Sequence, residues 1–254
     1  MSIPLQSSVV YGPVDSRRLG RSLGVNILPL DMKFCLSDCI YCQYGHTDPE
    51  KMKARKLPKA KDLIREIEKG FAEFAAQRVR IDSLTFSGNG EPTLHPEFSY
   101  LAERIKELRD QYFPKVPVSI LTDASQVRRP KVREALKGLD LCYLKLDAGT
   151  EAMHQAMNHP LSKIKLDAIV RYLKDMPSVI LQSLFITAPV DNSVQEHVAR
   201  WAERVGMINP MAVHIYTIAR SSADPSVMPA SPERLAEIGK FLEGKTGIRA
   251  VVIS

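Results

Sequence analysis

Strand-like apolar runs alternate with helix-period stretches along nearly the whole chain, and this alternation restricts the fold more than any other feature of the sequence. The apolar runs lie near 22–28, 82–87, 117–122, 140–147, 178–186 and 211–218, with a short last run at 248–253. Between them, residues 60–76 place Leu63, Ile64, Ile67, Phe71 and Phe74 on one helical face, and 97–112 do the same with Phe98, Leu101, Ile105 and Leu108. Further helix-period stretches fall at 130–138, 162–175, 193–205 and 231–243, the last opening with an N-cap, Ser231, and a proline at the first helical position. Six strand–helix units in succession predict parallel strands joined by right-handed crossovers. Six is short of the eight that close a full barrel, so the expected fold is a single α/β domain, a partial (β/α)6 TIM-like barrel. The expected domain takes in 1–254, with a core over about 20–220 and a terminal helix and strand over 231–253; no internal repeat or Pro/Gly/Ser linker divides it.

With 44% hydrophobic and 25% charged residues over 254 positions, the composition excludes disordered, collagenous and low-complexity chains. The net charge of +6 permits an anionic partner without requiring one. No apolar run reaches the ~18 residues of a membrane span, so no membrane partner is expected. Residues 1–6 lack the basic start and apolar stretch of a signal peptide, which makes the cytoplasm the expected location.

Of the four cysteines, Cys35, Cys39 and Cys42 fall within eight residues, while Cys142 stands a hundred residues on. Buried small hydrophobes rarely show such spacing, so the choice lies between a metal ion and a cluster. Zinc asks for a closed set of four ligands, and His46 could complete a Cys3His site. An iron–sulfur cluster also takes thiolates, and three of them on a four-iron cube leave one iron with an open position.

In folds of this class chemistry gathers at the carboxyl ends of the strands. The first run leads into the cysteine loop. The next ends lead into Ser87-Gly88-Asn89-Gly90-Glu91-Pro92, Thr122-Asp123, Lys145-Leu146-Asp147 and, after the sixth run, Thr217 to Arg220. Polar residues thus crowd the cysteine end of the sheet. Alternation on the fourth run puts Tyr143, Lys145 and Asp147 on one face and Cys142, Leu144 and Leu146 on the other. The polar set is expected to line the barrel, and Cys142 to be a core thiol against the helices.

Cys35-x3-Cys39-x2-Cys42, with Tyr41 before the third cysteine, resembles the cluster loop of the radical S-adenosylmethionine (radical SAM) superfamily. Gly88-Asn89-Gly90-Glu91-Pro92 resembles its Gly-Gly-Glu-Pro motif, with Asn89 interposed, and the expected partial barrel is similar to its core. A narrower likeness is carried by Gly12-Pro13-Val14, Ser16-Arg17-Arg18-Leu19-Gly20-Arg21-Ser22-Leu23-Gly24, Leu144 to Gly149 and Ile215 to Ile218. These resemble the Fe–S oxidoreductases related to 4-demethylwyosine synthase, which remodels a guanosine in tRNA. That enzyme carries extra N-terminal cysteines for a second cluster; here none precedes Cys35, so its substrate does not transfer.

The resemblance implies a [4Fe-4S] cluster on Cys35, Cys39 and Cys42, with S-adenosylmethionine on the fourth iron. It implies an external one-electron reductant, cleavage of the sulfonium to a 5′-deoxyadenosyl radical, and hydrogen abstraction from a substrate. Glu91 and the backbone of Gly88, Asn89 and Gly90 would receive the methionine ammonium, and Tyr41 would sit by the adenine. Asp123 would face the ribose or the methionine carboxylate, and Gln182 would make a similar cofactor contact. Lys145 and Asp147 are the catalytic candidates, set against a plain ion pair. The Arg17, Arg18, Arg21 group and the run Lys51, Lys53, Arg55, Lys56, Lys59, Lys61 are positioned to track phosphates or to be solvated surface. Three functions follow: a radical enzyme acting on a small molecule, nucleotide or RNA such as tRNA; an activase installing a radical on a partner protein; and an electron-transfer Fe–S or zinc protein.

Overall fold

Among the described residues seven strands run parallel in one sheet, and each answers to one of the apolar runs. They are β2 (Gly20–Val25), β3 (Ser83–Phe86), β4 (Val118–Thr122), β5 (Leu141–Lys145), β6 (Val179–Leu184), β8 (Ala212–Tyr216) and β10 (Ala250–Ile253), adjacent in that order. The computed structural model describes residues 3–174, 176, 178–220, 222 and 224–253. An eighth strand, β1 (Val10–Ser16), pairs antiparallel with β2 and makes the sheet mixed, and the curled sheet forms a half-barrel. Short β7 (Ile186–Ala188) and β9 (Met228–Pro229) form a separate two-stranded ribbon, so the run 178–186 breaks at Phe185.

The crossovers are α2 (Ala60–Ala76), α3 (Phe98–Tyr112), α4 (Pro130–Lys137), α6 (Leu166–Lys174), α7 (Gln195–Ile208) and α8 (Pro232–Thr246), each on an expected helical stretch. The stretch 162–175 is helical from Leu166, and its residue 175 lies outside the described residues. Two helices were not expected: α1 (Pro49–Ala54) and α5 (Glu151–Asn158), each capped by the preceding polar residue, Asp48 or Thr150. Among the described residues no helix is long and apolar enough to cross a membrane.

Strand alternation sorts the sheet into two faces. Leu23, Leu84, Phe86, Ile120, Leu144, Leu181, Val213 and Ile215 are buried in one cluster with Ile67, Phe71, Leu101 and Ile105 of α2 and α3. The clusters on that outer face include edge-on pairs at 5.5 Å between Phe86 and Phe98 and at 5.0 Å between Phe185 and Trp201. Cys142 belongs to this face as expected, its thiol donating to the Leu136 carbonyl at 3.1 Å while burial pushes it up to about 12. The inner face mixes polar groups with an apolar patch of Leu121, Tyr143 and Ile180. On β2 to β4 it carries a ladder of hydroxyls, Ser22, Thr85, Ser83 and Ser119, bonded to one another at 2.7–3.1 Å.

The basic run after the cysteines is largely surface: α1 has no buried residue, Lys51, Lys53 and Arg55 pair with Asp48, Glu50 and Asp31, and Lys56, Lys59 and Lys61 are exposed or partly so.

Candidate functional site

The cysteine loop follows β2 and is held from both sides. On one side Phe34 donates its amide to the Asn89 carbonyl at 2.7 Å and accepts from the Glu91 amide at 3.0 Å, a parallel bridge between Phe34 and Gly90. On the other side Asp38 and Ile40 donate to the carbonyls of His159 and Met157 at the end of α5. The second clasp was not legible in the sequence, because α5 was not expected. Cys35 and Cys39 are buried and Cys42 half-buried, and all are free thiols. Polar hydrogens aim at the sulfurs: the Ser37 amide reaches Cys35 Sγ at 3.4 Å, while Lys145 Nζ and Asn158 Nδ2 reach Cys39 Sγ at 3.0 and 3.6 Å.

This donor set suits a cluster better than one ion. Among the described residues no three His, Cys, Asp or Glu side chains stand close enough to hold a single metal ion. A four-iron cube instead asks each thiolate to reach a different iron. His46, the fourth ligand a zinc site would need, is exposed and its Nδ1 faces Asp38 at 3.1 Å. Cys142 lies on the helix-facing side of the sheet.

Gly90 explains the glycines of the neighbouring loop. Its φ of +145° is open only to glycine, and a Cβ there would overlap the Phe34 carbonyl. Asn89 is fully buried, with its side chain turned to the N-terminal segment: Nδ2 donates to the carbonyls of Gln6 and Pro29 at 2.9 and 3.0 Å, and Oδ1 accepts from the Gln6 amide. Glu91 is 2% exposed. Its Oε1 accepts from the Thr93 amide and hydroxyl and from the Thr122 hydroxyl, and its Oε2 from the Asp123 amide at 2.6 Å. Burial, then the nearby Asp123 charge, push its carboxyl up to about 8, the Thr93 and Asp123 bonds opposing them.

Asp123 holds the cysteine loop at its start: Oδ2 accepts from the Ser37 hydroxyl at 2.6 Å, with the Cys35 thiol at 3.7 Å. Burial would raise this carboxyl, but Lys145 and the Ser37 bond outweigh it and hold it low. Asp147 holds the other end. It accepts from the Tyr41 hydroxyl, from Asn158 Nδ2 at 3.0 Å and from the Leu184 amide at 2.9 Å. Tyr41, Asp123, Lys145 and Asp147 are therefore all gathered around the thiols. Gln182, the register partner of Lys145 on β6, turns to other partners: it takes a bond from the Arg18 guanidinium and donates to the Tyr143 carbonyl at 3.1 Å. Lys33 and Asn158 were missed as site residues by sequence reasoning, and Arg18 was singled out only within a basic group that could track phosphates. Lys33 is 7% exposed and bonded to the Gly45 carbonyl at 2.8 Å, and only its nearness to Cys35 hinted at it. Arg18 was grouped with Arg17 and Arg21, yet Arg21 faces Asp15 at 3.7 Å on the surface while Arg18 enters the barrel.

Of these residues, Tyr41, Cys42, Gly88 and Gly90 line a cavity of 640 Å3, to which Arg18, Leu19 and Tyr216 also contribute. That is the size of a small-molecule site. Behind the cavity, on β8 two residues before Tyr216, His214 is 8% exposed, its ring 5.4 Å from that of Tyr143. Burial, then Arg18 and Arg249, push it down to about 4 from the usual 6.5. The fold therefore holds neutral histidine, and that share of stability is present above about pH 6.5 and lost as pH falls towards 4. His214→Phe, which keeps a ring against Tyr143, is expected to flatten the fall in stability across this interval in an acid titration followed by circular dichroism. An unchanged slope would contradict the assignment.

Residues 30–203 match the family model described as the Radical SAM superfamily. A UPF0026 protein of Helicobacter pylori strain 26695 is 32% identical over 93% of this chain and 74% of its own length. Among solved structures, a radical SAM methyltransferase from Sphaerobacter thermophilus superposes with a TM-score of 0.64 at 14% identity, covering 91% of this chain and 65% of that one. Archaeal TYW1 superposes with a TM-score of 0.55 at 14% identity, covering 89% and 72%. At such identities the structural likeness shows the fold alone.

Proposed function

The chain belongs to the radical SAM superfamily, whose enzymes use a [4Fe-4S] cluster and S-adenosylmethionine, and from that premise we propose that Cys35, Cys39 and Cys42 hold the cluster and the adjoining cavity holds S-adenosylmethionine and a substrate. When bound, the pair supplies a 5′-deoxyadenosyl radical that takes hydrogen from the substrate, given one electron from an external reductant. The observation that carries the reading is the bridge between Phe34 and Gly90, which joins the cysteine loop to the Gly88–Glu91 loop at the mouth of one cavity.

The chain's own residues do the remaining work. Lys33 and Lys145 bring two positive charges to the three sulfurs, and the Ser37 amide and Asn158 add hydrogen bonds, the features that set a cluster's potential. Among the described residues Glu91 Oε2 accepts from the Asp123 amide alone and no cation pairs with Glu91, so an incoming ammonium would supply the countercharge that the buried carboxyl lacks. Asn89 contributes to this site through its backbone and Gln182 through Arg18. Asp123 and Asp147 act by positioning, tying the two ends of the cysteine loop to β4 and β6. Asp147→Asn is expected to lower iron retention or 5′-deoxyadenosine formation roughly 10- to 100-fold, as loss of outer-shell partners does. Iron content and turnover equal to the unsubstituted chain would contradict that role.

Within the superfamily, Gly12 to Gly24, now seen as the β1–β2 hairpin, and the ends of β5 and β8 support a place beside the 4-demethylwyosine synthase branch. This sequence has no counterpart of that enzyme's second cysteine set, so its tRNA substrate is not carried over. The direct test is anaerobic reconstitution, reduction with dithionite and measurement of 5′-deoxyadenosine from S-adenosylmethionine. Formation of methionine and 5′-deoxyadenosine in equal amounts supports the reading; iron bound without cleavage would favour electron transfer.

A further inference from the structure

The inner end of the cavity holds a cation with unused bonding capacity. Ser16 Oγ accepts from the amides of Arg18 and Leu19 at 3.2 Å, closing the tip of the β1–β2 hairpin. Leu19 then plugs the barrel against Tyr143 and Ile180, and the Arg18 guanidinium lies 4.7 Å over the ring of Tyr216. One Arg18 nitrogen donates to Gln182 Oε1, and Gln182 is fixed in turn by the Tyr143 carbonyl. Among the described residues no carboxylate pairs with Arg18. A half-buried guanidinium whose partners among the described residues are the Gln182 amide oxygen and Tyr216 still has N–H groups free for an oxyanion.

A second observation is independent of the first. His214, more than nine-tenths buried, has an Nδ1 with no partner among the described residues, and it lies near enough to Arg18 for the guanidinium to disfavour its protonation. Leaving both a charge and a buried ring nitrogen unmatched is costly unless a ligand matches them.

We infer that Arg18, backed by Gln182, Tyr216 and His214, forms an anion-binding subsite for the substrate, which is a small molecule bearing a carboxylate or a phosphate. The same cavity reaches Cys42, Gly88 and Gly90, and Tyr41 and Tyr216 line it, so a molecule anchored on Arg18 presents its other end to the cysteine loop. What happens to that molecule rests on the radical reading; its binding does not.

The test is calorimetric titration of the reconstituted full chain with inorganic phosphate and, separately, with succinate, in the absence and presence of saturating S-adenosylmethionine. Saturable binding of one probe is expected, with phosphate or succinate identifying the source of the charge. Arg18→Gln is expected to weaken it at least about tenfold, and Arg18→Lys to recover part of the loss. A shift of the His214 ring resonances on adding the anion to the unsubstituted chain checks the site without any variant. Binding of neither probe, equal binding to Arg18→Gln, an unmoved His214, or displacement by S-adenosylmethionine would each overturn the subsite. Failure to cleave S-adenosylmethionine, measured separately on the unsubstituted chain, would overturn the radical reading and leave the anion site standing.

Discussion

Alanine at any one of Cys35, Cys39 or Cys42 abolishes the iron–sulfur absorption of the reconstituted chain and drops 5′-deoxyadenosine formation to background. The expectation follows from the absence of a substitute. Cys142 faces the helices and donates to the Leu136 carbonyl, and His46 is exposed beside Asp38. Two thiolates leave a cube with two unprotected irons, which the neighbouring cations cannot hold. Cys142→Ala is the control: it removes one buried sulfur, costs about 1–2 kcal/mol of stability, and keeps the iron. Iron retained in Cys39→Ala, or lost in Cys142→Ala, would contradict the assignment of ligands.

Gly90→Ala is expected to cost about 3 kcal/mol or more in unfolding free energy, because two penalties coincide. The φ of +145° is strained for any L side chain, and the new methyl meets backbone, the Phe34 carbonyl, which cannot rotate away. Relief requires the cysteine loop to move off the Gly88–Glu91 loop, breaking the bonds from Phe34 to Asn89 and from Glu91 to Phe34. Urea unfolding measures the cost, and weakened iron binding accompanies it. Gly244→Ala serves as the comparison: Gly244 lies within α8 with nothing within 4 Å of an added Cβ, so the same change there is neutral or stabilising by up to about 1 kcal/mol. Equal effects at the two positions would mean that the contact with Phe34 is not what requires glycine.

What the sequence revealed and what it hid divide along physical lines. Parallel strands and their crossover helices bury apolar residues at fixed periods, so Leu63 to Phe71 and Leu84 to Phe86 announce themselves. The spacing of Cys35, Cys39 and Cys42 is equally local. β1 was hidden because its alternation is broken by Gly12-Pro13 and its exposed positions, Gly12, Val14 and Asp15, follow no period of two. α5 was hidden because it is short and opens on a capping threonine instead of an apolar stripe. The division of labour among Arg17, Arg18 and Arg21 is a matter of turn geometry: the Ser16 hydroxyl closes the tip and sends one of three similar side chains inward. Asn89 and Glu91 show the same limit. Their motif placed them beside a ligand, whereas much of their bonding is to the chain itself, Asn89 to Gln6 and Pro29, and Glu91 to Thr93, Thr122 and Asp123. Gly90 between them serves the approach of one backbone to another.

The most direct test of the central claim is an electron paramagnetic resonance spectrum of the anaerobically reconstituted, reduced chain with and without S-adenosylmethionine. The account predicts the signal of a reduced four-iron cluster that changes when the ligand is added, since three cysteines leave one iron open to it. A four-iron signal indifferent to the ligand, or a chain that takes up zinc and no iron, would contradict it.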